Sequence, residues 1–179
     1  MTALVTPVTL TGQRWVSLEP LTRDHIAEID VAAADGELAT LWYTMTPKPG
    51  GACAWVERML ELRAADHGVS FVVRSLTAGW SGPPATCTWT APTAGWRSAT
   101  PGMGHAFDQL NCVAVEFRTH FFNFASRTAI ERLGAKLDGV LRSHQIAADG
   151  TRRDTVVYSI LDIEWPAVRT HLNARLAAH

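Results

Sequence analysis

The sequence predicts one α/β domain. Short alternating or β-branched runs recur along the chain, amphipathic helical stripes stand between them, and Gly, Pro and Asx residues separate the two kinds of run. At 179 residues with 47% hydrophobic side chains, the chain can bury one ordinary core and is short for two. No internal repeat is visible, so the chain is read as a single unit.

The run TLTGQRWVSLEPL (residues 9–21) alternates apolar and polar residues around Thr11-Gly12 and predicts a strand or hairpin, with Trp15, Val16 and Leu18 toward the buried side. Thr22 stands at an N-cap position, Asp24 suits a first turn, and Ile26, Ile29 and Ala33 recur at helical spacing up to Gly36. A second helix follows from Ala52 to Asp66, where Ala52, Val56, Met59 and Leu60 form a stripe that Gly68 can terminate. VSFVVRSL (69–76) is rich in β-branched residues and reads as a strand. Further on, CVAVEFRT (112–119) is a strand, and NFASRTAIERLG (123–134) is a helix capped by Asn123, with Ala129, Ile130 and Leu133 inward and Gly134 as its stop. KLDGVLRSHQI (136–146) and RDTVVYSIL (153–161) are extended runs joined through Asp149-Gly150, a hairpin signal. In EWPAVRTHLNARL (164–176), Pro166 fits a first helical turn and Val168, Leu172 and Leu176 share a face.

Composition excludes several classes of function. A net charge of −1, with Lys and Arg scattered, offers no basic face for nucleic acid. The start of the chain lacks a basic segment followed by a long apolar run, and no stretch approaches the length of a membrane span, so a soluble, cytoplasmic protein is expected. Cys53, Cys87 and Cys112 are odd in number and widely spaced, which predicts reduced, mostly buried thiols. The seven His residues show no HxxxH or HExxH spacing, so no metal site is expected.

Two blocks carry a family resemblance: LTGQRWVSLEPLTRDH (10–25) and VEFRTHFFNFASRTAIERLGAKLDGVLRSHQIAADGTRRDTVVYSI (115–160). Both resemble the RimJ/RimL-like branch of the GNAT N-acetyltransferases. The resemblance implies an α+β fold with a mixed, mostly antiparallel sheet flanked by helices. It also implies transfer of an acetyl group from acetyl-CoA, as cosubstrate, to an amine by direct attack. The acceptor would be a protein N-terminus or a small amine. In that reading the 112–119 strand splays from its neighbour and pairs its backbone, around Val115 and Phe117, with the pantetheine arm. Asn123 and Ser126 would contact the coenzyme, with Ser126 giving a proton to the departing thiolate. Arg127 would reach the adenosine phosphate, and Trp42 and Tyr43 would line the acceptor site.

Several of these residues also have a plainer reading. Asn123 is a good helix cap whether or not it binds a ligand. A serine in a first helical turn is commonly a solvated hydroxyl. Glu116 and His120 could polarise an amine or simply face solvent, since each alternates with apolar neighbours. Phe121, Phe122 and Phe124 read as core rather than a stacking platform.

Thr77 to Gly104 breaks the pattern. This segment contains no Val, Ile, Leu, Phe or Tyr, a single charged residue, Arg97, four prolines and three of the seven tryptophans. It predicts irregular structure where the family has central strands and a Gly-containing phosphate loop at a helix N-terminus. A frameshift accounts for it. Reading each codon one nucleotide earlier turns Trp80 into Leu, Met or Val, turns a TCN-coded Ser81 into Val, and forces Thr90 to Asp, restoring charges and alternation. As written, the chain is expected to bind acetyl-CoA weakly and to be an impaired acetyltransferase. The alternative is a catalytically inactive remnant that acts as a scaffold. An unpaired sheet edge would favour a homodimer.

Overall fold

The computed structural model describes residues 9–11, 16–35, 40–44, 46–65, 70–75, 86–88, 101–147 and 150–178. The chain divides into two compact units, Met1–Trp89 and Thr90–His179.

In the first unit, β1 (Leu10–Thr11) and β2 (Val16–Pro20) form the expected hairpin, and β3 (Ser70–Ser75) and β4 (Thr86–Thr88) extend it in the order β1-β2-β3-β4. Every described pairing here is antiparallel. Leu18 is buried as its alternation predicts; Trp15 lies outside the described residues. A 3₁₀ turn over Arg23–His25 leads into α1 (Ile26–Ala34), and α2 (Ala52–Ala64) follows. Leu21, Ile29, Ala52, Val56 and Val72 make the buried cluster, so both predicted helical stripes face inward. His25 completes the Thr22 cap: its Nδ1 accepts the Thr22 N–H at 3.1 Å. The N-terminus of α2 is held from a distance, because Asp30 Oδ1 on α1 accepts the N–H groups of Gly50 (3.0 Å) and Ala52 (3.1 Å). Cys53, expected among buried thiols, is exposed; it follows Ala52 on α2 and so falls off the Ala52/Val56 stripe.

In the second unit, residues 101–104 are helical and continue as a π turn over His105–Gln109; this is α3. Then come β5 (Ala114–His120), α4 (Phe124–Arg132), β6 (Lys136–Ile146), β7 (Arg152–Leu161) and α5 (Trp165–Ala177). The sheet order is β5-β7-β6, again antiparallel throughout. Tyr158, Ile160, Ile130, Leu172 and Trp165 build its core with Phe107 and Met103 of α3. The turn signals are realised as φ +95° at Gly134 and φ +82° at Gly150. Gly134 has a second reason to lack a side chain: a Cβ there would lie 3.2 Å from Val168 Cγ2 on α5.

Within the Thr77–Gly104 segment, the described residues are 86–88 and 101–104, and both pieces are regular. The backbone of β4 pairs Phe71 with Cys87, and the β-branched Thr86 and Thr88 flank it although the segment lacks Val, Ile, Leu, Phe and Tyr. Met103 is 1% exposed and fills core space without being β-branched. Residues 77–85 and 89–100 lie outside the described residues.

Candidate active site

The junction of β5 and α4 gathers most of the residues singled out by sequence. Val115, Phe117 and Thr119 turn toward the core face of β5, opposite Ile160, Tyr158 and Val156 of β7. With the side chains of Val115 and Phe117 so committed, only their backbone can serve a ligand. Among the described residues β5 pairs on one side only, with β7.

Asn123 caps α4 as predicted: its Oδ1 accepts the Ser126 N–H at 3.0 Å. Ser126 is not a solvated hydroxyl. It is 3% exposed, and its Oγ is buried without a hydrogen-bond partner. Such an orphan costs about 1–3 kcal/mol, and it sits in the first turn of a helix whose N-terminus favours developing negative charge.

Arg127 is tied into the protein. Its Nε donates to Tyr158 Oη (3.2 Å), its Nη1 to the Phe121 carbonyl (3.2 Å), and the guanidinium lies over the Phe121 and Phe124 rings at 5.1 and 5.4 Å. Tyr158 Oη donates to Glu131 Oε1 (2.9 Å); burial, the largest influence, pushes the phenol above its ordinary pKa, so it stays a donor. This network fixes the first turn of α4 against β7. The rings themselves are not all core: Phe122 is 52% and Phe124 59% exposed, because they flank the cap at the helix end rather than continuing the alternation of β5.

Glu116 lies on the face of β5 away from the core, exposed and paired with Arg118 two residues on. His120, read as possibly solvent-facing, is buried at 5% exposure. Its Nδ1 accepts the Phe122 N–H at 3.1 Å, so the neutral ring carries its proton on Nε2. Burial first, and then the charge of Arg153, hold the imidazole below its ordinary pKa, with Asp154 opposing. Arg153 was not singled out by the sequence. Its Nε is buried and unpartnered; the preceding Gly150 turn and the alternation of β7 were its only signal.

Trp42 and Tyr43 belong to the first unit, between α1 and α2, with rings edge-to-face at 5.6 Å and Trp42 62% exposed. Among the described residues no group of three His, Cys, Asp or Glu side chains is placed to hold a metal ion, and no helix is long and apolar enough to cross a membrane.

No family model matches the chain, and no curated protein matches it. Solved structures do. A GCN5-related N-acetyltransferase from Brucella melitensis superposes with a TM-score of 0.76 at 24% identity, over 95% of this chain and 86% of that one. RimJ from Mycobacterium smegmatis, in complex with CoA-disulfide, gives 0.68 at 17% identity over 94% and 95%. RimL, a ribosomal L7/L12 alpha-N-protein acetyltransferase in complex with coenzyme A, gives 0.66 at 10% identity over 86% and 98%. With its antiparallel sheets, flanking helices and capped α4 turn, this chain has the fold of the GNAT acetyltransferases, the RimJ and RimL enzymes among them.

Proposed function

We propose that this protein transfers an acetyl group from acetyl-CoA to an amine. The observation that carries the reading is the buried, unpartnered Ser126 hydroxyl in the first turn of α4, the helix that follows β5. A donor aimed at a site where charge develops, and already stripped of water, needs no reorganisation at the moment of reaction. The acceptor nitrogen attacks the thioester carbonyl carbon, the carbon–sulfur bond breaks, and the departing sulfur takes the Ser126 proton. The proton released by the amine restores the hydroxyl through solvent.

Each other residue takes a role that its geometry permits. The backbone of Val115 and Phe117 pairs with the pantetheine amides along the edge of β5 away from β7. Asn123 holds the Ser126 N–H and thereby sets the direction of the hydroxyl. Arg127, held by Tyr158 and the Phe121 carbonyl, acts first as a brace for this turn, with its charge at the coenzyme side. Glu116, paired with Arg118, contributes to the charge of the acceptor-facing surface. RimL acts on a protein N-terminus by its description, which supports a protein N-terminus as the acceptor here.

Incubation of the full chain with acetyl-CoA and short N-terminal peptides, followed by detection of free thiol, tests the reading. Ser126→Ala is expected to lower kcat about 10²-fold or more, with the KM for peptide little changed. Thiol release unaffected by that substitution overturns the role of Ser126. No release above buffer, with no calorimetric binding of acetyl-CoA, overturns acetyl transfer itself and favours the scaffold reading.

A further inference from the structure

The side chain of His120 engages backbone. Its Nδ1 accepts the Phe122 N–H at 3.1 Å, and its own carbonyl accepts the Asn123 N–H at 2.9 Å. One residue thus holds the turn that joins β5 to α4 through both its ring and its main chain. Two further contacts tie this turn down. The Phe121 N–H donates to the Asp154 carbonyl of β7 at 3.1 Å, and the His120 and Phe122 rings stack at 5.8 Å, 29° from parallel. A part-buried N–H that loses its acceptor is left with the cost of its desolvation, so the turn depends on the imidazole remaining an acceptor.

The turn ends on the residue that organises the candidate site. Asn123 caps α4, where its Oδ1 accepts the Ser126 N–H and its carbonyl the Arg127 N–H, each at 3.0 Å. With φ −82° and ψ 70°, Asn123 stands outside the helical region, so its direction is set by the turn before it and not by α4. Hydrogen bonds therefore link the His120 residue, through Phe122 and Asn123, to the Ser126 amide. Among the described residues the charges that act on the ring are Arg153 and Asp154 of β7. Thr155, directly across from His120, is neutral and lies 3.1 Å from Nδ1 of His144 on β6, while Glu116 and Arg118 of β5 pair with each other. Burial and the Arg153 charge disfavour the imidazolium, Asp154 opposes them, and the neutral ring is the form that completes the turn.

We propose that His120 is a positioning residue for Asn123 and Ser126: its neutral imidazole holds the β5–α4 turn in the conformation that aims both at the coenzyme, and protonation releases that turn. The coenzyme part rests on the acetyl-transfer reading; the behaviour of the turn does not. When Nδ1 takes a proton it becomes a second donor facing the Phe122 N–H, and the acceptor is gone. The folded value for His120 lies below the ordinary 6.5, so the turn is intact above that folded value and loosens as the pH falls through it. Coenzyme binding weakens with it.

Amide hydrogen exchange of the free, full chain between about pH 5 and 8, followed by NMR, reads the turn without a ligand. The protection factors of Phe122, Asn123 and Ser126 are expected to fall about tenfold as His120 protonates. His120→Asn, whose side-chain oxygen accepts the Phe122 N–H without titrating, is expected to show no such step. A step that persists in His120→Asn, or wild-type protection that does not change with pH, overturns the proposal. Calorimetric titration with coenzyme A over the same range reads the consequence. At the acidic end the wild type is expected to bind about tenfold more weakly than His120→Asn, a ratio in which the ionisation of the coenzyme's own phosphates cancels. The same pH dependence in both proteins overturns the positioning role. His120→Leu removes the acceptor at every pH and is expected to bind more weakly throughout; wild-type affinity in that variant also overturns the role. The His120→Asn comparison stands where His120→Leu does not fold. Absence of coenzyme A binding at every pH, with the exchange step present, overturns the acetyl-transfer reading alone and confirms the dependence of the turn on His120.

Discussion

The two units of the chain treat their polar groups in opposite ways. In the first, Arg74 bridges Glu19 (2.7 Å) and Glu28 (3.0 Å), His25 and Thr22 cap one another, and Asp30 closes the start of α2. The Arg74 hydrogen bond holds the Glu19 carboxyl below its ordinary pKa, the expected mark of a satisfied pair. In the second, among the described residues, Ser126 Oγ and Arg153 Nε are left buried and unpartnered beside an aromatic core. A folded chain tolerates such orphans where surrounding packing over-determines them, and ligand sites are the usual reason. Among the described residues, the first unit thus reads as closed structure and the second as structure with places held open.

The largest expected effect tests whether the second core is what sustains those places. Leu172 of α5 is fully buried against Tyr158 and Ile160, and Leu172→Ala is expected to lower stability by about 2–5 kcal/mol. Val72→Ala in the first unit removes less volume and is expected to cost about 2 kcal/mol. Denaturant titration of both variants checks the difference. Equal costs would break the contrast in core strength.

A smaller effect sharpens it at one position. Gly134→Ala places a side chain where φ is +95° and where a Cβ meets Val168 at 3.2 Å. Backbone strain and crowding together are expected to cost about 1–2 kcal/mol. Gly150→Ala, with φ +82° and nothing within 4 Å, carries the backbone component alone. Thermal melts that show the same loss for both would mean that α5 yields and the close approach at Gly134 is not a constraint.

How much was legible in advance differs between regions for physical reasons. The hairpin through Gly150, the Asn123 cap, the Gly134 stop and the Pro166 start are local signals, and each element they bound is present. His120 was not legible as buried. Period-two alternation assigns it to the same face as exposed Glu116 and Arg118, but it ends the strand, where the turn to Asn123 folds over it. Asp30 serving α2 across 22 residues is a tertiary event with no local trace. Composition misled at 86–88 and 101–104, because a strand can be templated by a neighbour's backbone and a helix needs no β-branched residue. Of the site, the cap and Ser126 were readable through the N-x-x-S pattern. Arg153 was not, since among the described residues what marks it is a buried, unpartnered Nε and not its identity.

The smallest expected effect concerns His120 and runs with pH. Burial and the Arg153 charge lower its pKa in the folded protein, so the unfolded chain binds more protons in the window between the folded value and the ordinary 6.5. Stability should therefore be fully present above pH 6.5 and fall as the pH drops through the folded value, where the buried ring must take a charge. His120→Asn is expected to flatten that slope, and Arg153→Gln to reduce it, because the repelling charge is gone. Denaturant midpoints between pH 5 and 8 measure the slopes. A slope unchanged in His120→Asn would reverse the assignment, leaving the ring beside Arg153 silent.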